Sequence, residues 1–412
     1  MSNIEIIKQC RLCESKKLKK IFDFGKTPLA NSYPKSQEEI ENYYPLSVAK
    51  CDDCGHVQLF ETVNPELLFK NYLYASSDSL VLKKHFNQYA KDVLDVCDKS
   101  NELTSILEIG CNDGILLKEF ANLYLINLYG VEPATNIVKI AKKQTSAKIF
   151  NTFFNLDSAT KIGEEIGKVN IICANNVFAH VDKLDSLING IKHLLTPDGV
   201  FVFENAYLLD TIKGLYFDQI YHEHLQYYGI KPLISLFNLY DMEIFRIKHI
   251  DTQGGSFRIY VQNKKSGEYL IDDSVSKFVK AEEKFNLYED LTYKQFNQKI
   301  KDLCIKMEEL INKIQYQNKT ISCYGCPAKF ALFSKIFGLN NLNIKYVIDD
   351  SPLKQNLFSP GQKIPIVNKE FFYKNPTDYC IISAWNMADS IIERNKQYTG
   401  KFIVPLPKIH IK

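Results

Sequence analysis

At 412 residues, 45% apolar and 24% charged, the chain has the make-up of a globular protein too long for one ordinary core, so two or three domains are expected. A net charge of only +3, with Lys and Glu mixed along the chain and no basic tail, argues against a nucleic-acid partner. With no signal peptide and no apolar run near about 18 residues, a cytoplasmic location without a membrane partner is expected.

Residues 1–70 carry four of the eleven cysteines as two knuckles, Cys10-x-x-Cys13 and Cys51-x-x-Cys54. In a reducing compartment such pairs favour a metal over disulfides, and four thiolates fill a tetrahedral zinc site with no open position. The zinc is therefore read as structural, with His56 beside the second knuckle as a bystander. The segment between the knuckles, DFGKTPLANSYP onward, must fold back to bring them together. Residues 71–80, NYLYASSDSL, place Tyr72, Tyr74, Ser76 and Ser77 just before a helix. They read either as an N-cap with buried tyrosines or as hydroxyls over a polar ligand.

Residues 105–114, SILEIGCNDG, then start a strand–glycine turn–helix unit of a nucleotide-binding α/β domain. Gly110 frees a tight turn, and Glu132, about 20 residues on at the end of LYGVEP, can accept the hydroxyls of a ribose. A dinucleotide turn would read GxGxxG; this one lacks a glycine and carries Asp113, which repels phosphate. A sulfonium donor with an ammonium group welcomes that acid, so the charge pattern favours S-adenosylmethionine. Its candidate partners are Glu108, Gly110, Asn112, Asp113, Gly114, Glu132 and Pro133, with Asn175 and Asn176 from ANNVFAH. Strands are expected near 106–109, 128–132, 148–150, 169–174 and 200–204, with the last preceded by a TPDG turn. His180 stands at the carboxyl end of the fourth, where ligands bind in open α/β sheets.

Residues 214–229, GLYFDQIYHEHLQYYG, crowd Asp218, Tyr221, His222, Glu223, His224, Tyr227 and Tyr228 together. Gln226 excludes the zinc-protease HExxH pattern. If the segment is extended, His222 and His224 point one way and Glu223 the other; a catalytic loop is the expectation. Residues 252–262 read as a glycine turn entering a strand, and Phe296, Ile300, Leu303, Met307, Leu310 and Ile314 form a helix seam that joins two domains. The remainder restarts as α/β: TISCYG leads into CPAKFALFSKIF, then IKYVIDDSP and DYCIISAWN. Lys329, at the start of that helix, is placed where it could meet a phosphate, or is a surface lysine.

Laid out in order, CRLC, DFGKTPLAN, CDDCGHVQ, YLYASS, LEIGCNDG, GVEP, ANNVFAH, YHEHLQYY, GGSFR, YGCPAKF, DDSPLKQ and AWN resemble the S-adenosylmethionine-dependent C-methyltransferases of nucleotide-linked deoxysugars, over nearly the whole length. It departs from that pattern at Cys326-Pro327, Phe330 and Phe257. The resemblance implies an α/β protein of three parts: an N-terminal zinc-binding domain (1–70), a central Rossmann-like class I methyltransferase domain (71–300) and a C-terminal Rossmann-like domain (301–412). It implies roles for Tyr74, His180, Tyr221, Glu223 and His224, and a nucleotide diphosphate on the last domain. Tyr324, Lys329, Asp349, Trp385 and Asn386 are carried over to that substrate.

The reaction expected is carbon methylation beside a 4-keto group through an enolate, with His224 as base, oriented by Glu223 or Tyr221, and Tyr221 able to relay the proton. His180 and Tyr74 face the enolate oxygen or hold the donor. An O- or N-methyltransferase on a nucleotide sugar, which needs no enolate, and a non-catalytic sugar-nucleotide binding protein are the alternatives. Oligomeric state stays open, and a monomer is compatible with the sequence.

Overall fold

A computed structural model describes residues 3–69, 80–97 and 104–412. Near the N-terminus, Leu18–Pro28 and Tyr43–Cys51 form an antiparallel hairpin, which Val57–Leu59 extends. Leu46, Val48 and Leu59 are fully buried within it. A fourth strand, Gln226–Tyr227, comes from far down the chain and pairs with Val57–Leu59.

The central sheet has seven strands in the order Met242–Ile250, Ser256–Asn263, Leu195–Ala206, Val169–Asn175, Ser105–Ile109, Asn127–Val131, Lys148–Phe150. The last five are mutually parallel, and Ser256–Asn263 runs antiparallel to both of its neighbours. Parallel strands covered on both faces need unbroken apolar runs; all five residues of SILEI are buried. The expected strands sit where the apolar runs placed them, with one difference. TPDG lies inside the strand Leu195–Ala206 as an irregularity in its pairing with Val169–Asn175, because pairing resumes only at Val200. From Ser105–Ile109 the chain first builds outward to one side, then returns to the other at Val169–Asn175. The carboxyl ends of these two strands therefore flank a topological switch point, the place where open α/β sheets bind ligands.

Helices Asp273–Phe285 and Asp290–Tyr316 lead to the last domain. The apolar seam of the second buries Phe296, Ile300, Leu303, Met307 and Ile314, together with Tyr293 and Ile311. Phe22 packs on Tyr293 and Phe296 of that helix, with ring centroids 6.0 and 5.1 Å apart, so the N-terminal hairpin rests on it. The C-terminal sheet has six strands in the order Ile366–Val367, Val347–Ile348, Ile321–Tyr324, Tyr379–Ile382, Lys401–Val404, His410–Ile411, all parallel but the last. One apolar cluster runs from Leu12 and Phe22 through Phe203 to Trp385 and Leu406. The α/β class with an N-terminal cysteine domain and two Rossmann-like sheets is as expected. Among the described residues no helix is long and apolar enough to cross a membrane.

Candidate active site and metal site

The four knuckle cysteines converge, with all sulfurs within 4.8 Å of one another. Cys10 faces Cys54 and Cys13 faces Cys51, each pair 3.6 Å apart. Four sulfurs about 2.3 Å from a tetrahedral zinc stand about 3.8 Å from one another, so the donor set fits that ion and leaves no position for a substrate. A zinc bound there would hold the knuckles together. His56 stays outside the four-cysteine cluster, as expected; wholly buried, its Nε2 meets Gln226 Oε1 at 3.0 Å.

At the switch point, Gly110 (φ 66°), Asn112 (φ 48°) and Gly114 (φ 80°) make the tight turn between strand Ser105–Ile109 and helix Ile115–Leu123. Glu132 receives two backbone N–H groups, from Asn112 at 3.0 Å and Ala134 at 2.8 Å. Each carboxylate oxygen keeps a further lone pair for a ligand hydroxyl. Pro133 fixes the same corner through its carbonyl, which accepts from Asn151 Nδ2 at 3.0 Å. Glu108 and Asp113 are buried beside it. Glu108 Oε2 has no hydrogen-bond partner among the described residues. Burial pushes the Glu108 carboxyl well above the usual carboxylate range, against the pull of neighbouring Asn175, while Asp113 and Glu132 add repulsion. Burial likewise raises Glu132. An anionic diphosphate would worsen this acidic crowding and a cationic ligand relieves it. The residues present therefore fit S-adenosylmethionine. Asn176, at φ 53°, turns the chain out of strand Val169–Asn175.

The 221–224 segment is a turn rather than a strand, so its two histidines part company. His222 points to the N-terminal domain, its Nε2 donating to Pro45 O at 3.1 Å. His224 Nδ1 donates to Gln219 O at 2.9 Å. A carbonyl only accepts, so the proton sits on Nδ1 and Nε2 keeps its lone pair, which takes the Tyr221 hydroxyl at 2.8 Å. His180 Nδ1 donates to Glu223 O at 2.7 Å, and its ring meets that of His224 edge-on, centroids 5.0 Å apart. Burial lowers His224 to about 3, with His180 adding to the effect, and lowers His180 to about 4. Both rings are neutral near pH 7. Glu223 is buried with its Oε1 accepting from Asn31 Nδ2 at 2.7 Å, so the carboxylate faces the N-terminal domain and it is Tyr221 that lies on His224. A cavity of about 20 Å³, room for about one water, lies against His224 between Asn176, Asn205, Gln219 and Tyr227. Asn205 Oδ1 and the Tyr227 hydroxyl, both buried, have no partner among the described residues. Tyr72, Tyr74, Ser76 and Ser77 lie outside the described residues.

The C-terminal candidates are built into the fold and into its contact with the central domain. Asp349 Oδ2 accepts from the Cys326 amide at 2.8 Å and Oδ1 from that of Ser351 at 2.9 Å, holding the glycine turn. Tyr324 donates to Asp350 at 2.8 Å. Trp385 stacks on Tyr216 (4.1 Å between centroids) and gives its indole N–H to the wholly buried Asp218 at 2.6 Å. Lys329 is no surface lysine. Its amine lies 3.8 Å above the Trp385 ring, 3.0 Å from Asn386 Oδ1 and 3.8 Å from Asp218.

Sequence reasoning missed Asn31 and a buried ion cluster against the same sheet. Arg258 donates to Glu204 (2.9 and 3.0 Å) and Asp92 (2.7 Å) and stacks on Tyr89, while His85 meets Glu204 at 2.8 Å. Burial pushes Glu204 up, but His85 and Arg258 outweigh it and hold the carboxylate low. The available signal was one arginine inside an apolar strand, SFRIYVQ.

Three family matches follow the chain in order: a zinc-binding domain at 10–69, a methyltransferase domain at 81–246 and a C-methyltransferase C-terminal domain at 251–407. The C-methyltransferase NovU of Streptomyces niveus is 29% identical over 98% of this chain and 96% of its own. A malonyl-[acyl-carrier protein] O-methyltransferase of Bacillus anthracis is 23% identical over 34% of this chain and 53% of its own. Among solved structures, plantazolicin methyltransferase BpumL with a triazolic desmethylPZN analogue and SAH gives a TM-score of 0.37 at 14% identity, over 46% of this chain and 88% of that one. Over nearly its whole length the chain is thus similar to a C-methyltransferase, with matches to a zinc-binding, a methyltransferase and a C-methyltransferase C-terminal domain in that order.

Proposed function

We propose that the chain methylates the carbon beside the ketone of a nucleotide-linked 4-keto-deoxysugar. When bound, S-adenosylmethionine supplies an electrophilic methyl group. Glu108, Asp113 and Glu132 offer it negative charge and lone pairs, the turn at Gly110, Asn112 and Gly114 and the Glu132–Pro133 corner shape its cradle, and Asn175 and Asn176 close the adjoining strand end. Tyr324, Lys329, Asp349, Trp385 and Asn386 are assigned to the nucleotide side on the C-terminal domain.

The observation that carries this reading is the Tyr221–His224 pair, whose Nδ1–H anchor leaves a neutral imidazole with its lone pair on the phenol. The substrate's acidic C–H gives its proton to His224 Nε2, directly or by relay through the Tyr221 hydroxyl. The electron pair left on carbon delocalises onto the ketone oxygen as an enolate. Burial disfavours an imidazolium here, yet the proton transfer places the enolate's negative charge beside the new positive one, which offsets that cost. His180 and Tyr74 are assigned to the enolate oxygen or the donor, and Glu223 to the loop that presents them. S-adenosylmethionine held by Glu108, Asp113 and Glu132 would supply the methyl group that the enolate carbon takes up, with the carbon–sulfur bonding pair left on sulfur.

Incubation with the donor and a panel of 4-keto sugar nucleotides, read by mass, tests the substrate; gain of one methylene on a member of the panel is expected. Solvent deuterium entering the acceptor carbon without donor tests the enolate, and methylation without such exchange would favour an O- or N-methyltransferase. His224→Asn should lower turnover by ~10²–10⁴-fold with donor affinity nearly unchanged. Normal turnover with donor affinity down about 10-fold would remove His224 from the role of base.

A further inference from the structure

The proposed chemistry gives no task to the segment between the knuckles, yet that segment touches both other domains. Asn31 Nδ2 donates to Glu223 Oε1 at 2.7 Å, the Tyr33 hydroxyl to Cys326 O at 2.7 Å, and Pro34 O accepts from the Phe358 amide at 2.8 Å. Beyond the second knuckle, Val57–Leu59 pairs antiparallel with Gln226–Tyr227, Gln58 opposite Gln226. The Leu59 amide donates to Leu225 O at 2.8 Å. His56 Nε2 meets Gln226 Oε1, and Gln226 Nε2 returns to Val181 O at 2.6 Å, one residue beyond His180. His222 closes the set on Pro45 O.

We propose that the zinc-binding domain is the mould of the 221–228 loop, with Asn31 and His56 as positioning residues that act through Glu223 and Gln226. This rests on the reading of that loop as catalytic. A two-residue strand and a turn do not hold a geometry alone, since even an isolated hairpin is marginal in water. Here the loop is held because it completes a sheet whose other three strands belong to the cysteine domain. The Glu223 carbonyl anchors His180, so a shift of Glu223 moves the ring that lies against His224. A misplacement of about 1 Å can cost ~10²-fold in rate, which makes the support of the loop a kinetic matter as well as a structural one.

Two arms test this on the full chain. In the first, hydrogen exchange is followed with zinc bound and after chelation. Residues 221–228 should lose protection while 105–114 keep theirs. Protection retained in 221–228, or lost equally in both segments, overturns the proposal. In the second, Asn31→Ala and Asn31→Asp should each lower kcat by ~10-fold or more, with donor KM within about twofold. Asn31→Asp should be the worse, because it sets a carboxylate against Glu223. Variants that change only melting temperature, or that lose donor affinity as much as turnover, count against it. A wrong acceptor would leave the exchange result standing, so failure of the substrate reading and failure of this one are told apart.

Discussion

Glu108 shows how one buried side chain ties stability to ligand. It is 3% exposed with Oε2 unpartnered among the described residues, and burial holds its carboxyl well above the usual range. Raised in the fold, it keeps its proton to higher pH than the unfolded chain does. The ligand-free protein therefore loses stability as pH rises from roughly 4.3 toward that raised value. A cationic donor favours the ionised form, so its binding should release a proton and tighten over the same window. Calorimetry in buffers of different ionisation enthalpy should show net proton release. Glu108→Gln should abolish that release and weaken the donor by ~10-fold or more. A proton count unchanged by the substitution would assign the release elsewhere. Glu108 was legible in LEIGCNDG as a second acid beside Asp113, whose place in the glycine turn argues against a phosphate. Its burial beside Asn175 was not, because Asn175 comes from another strand.

Scale up to the element, and the same turn sets what the strand–helix unit tolerates. Gly110 sits at φ 66°, and a Cβ there would stand 2.5 Å from Val177 Cγ2. Gly110→Ala thus adds backbone strain to a clash with the loop that carries Asn175 and Asn176. It should lower stability by ~1–3 kcal/mol and weaken donor binding together, measured by denaturant unfolding and titration. Unchanged stability with lost binding would mean that the turn has room the geometry denies. This unit could be read from sequence because its signals are local: an apolar run, a glycine turn, an amphipathic restart. The same holds for the helix seam from Phe296 to Ile314. The turn at 221–224 was not legible in that way. Two residues, Gln226 and Tyr227, carry no periodicity, and their partner Val57–Leu59 lies far back in the chain. An extended reading consequently put His222 and His224 on one side, whereas the domain contact sends His222 to Pro45 and leaves His224 with Tyr221.

For the molecule as a whole, two ion contacts tie the domains together. Arg11, inside the first knuckle, pairs with Asp182 at 2.7 Å, and Lys329 with Trp385 closes on Asp218 from the other side. Lys329 was marked for a ligand by its helix start, and Trp385 and Asn386 by the resemblance; nothing local in the sequence announces that Lys329 and Trp385 also meet Asp218 of the central domain. Asp218 has no exposure, and its Oδ1 has no partner among the described residues. Burial raises its carboxyl, while Lys329 is the largest influence pulling it back. Burial in turn lowers Lys329, with Asp218 opposing. Lys329→Met should therefore leave a buried carboxylate without its cation and cost ~3–5 kcal/mol near neutral pH. The neighbouring pair should also couple, so that Asp218→Asn added to Lys329→Met costs less than the two single losses summed. The sign with pH follows from the acid: its raised value in the variant makes the loss greater at pH 8 than at pH 5, where the unpaired group can hold a proton. Denaturant unfolding of the single and double variants at both pH values reads this directly. Additive losses with no pH dependence would reduce the contact to packing of Trp385 on Tyr216 and take the ion pair out of domain docking.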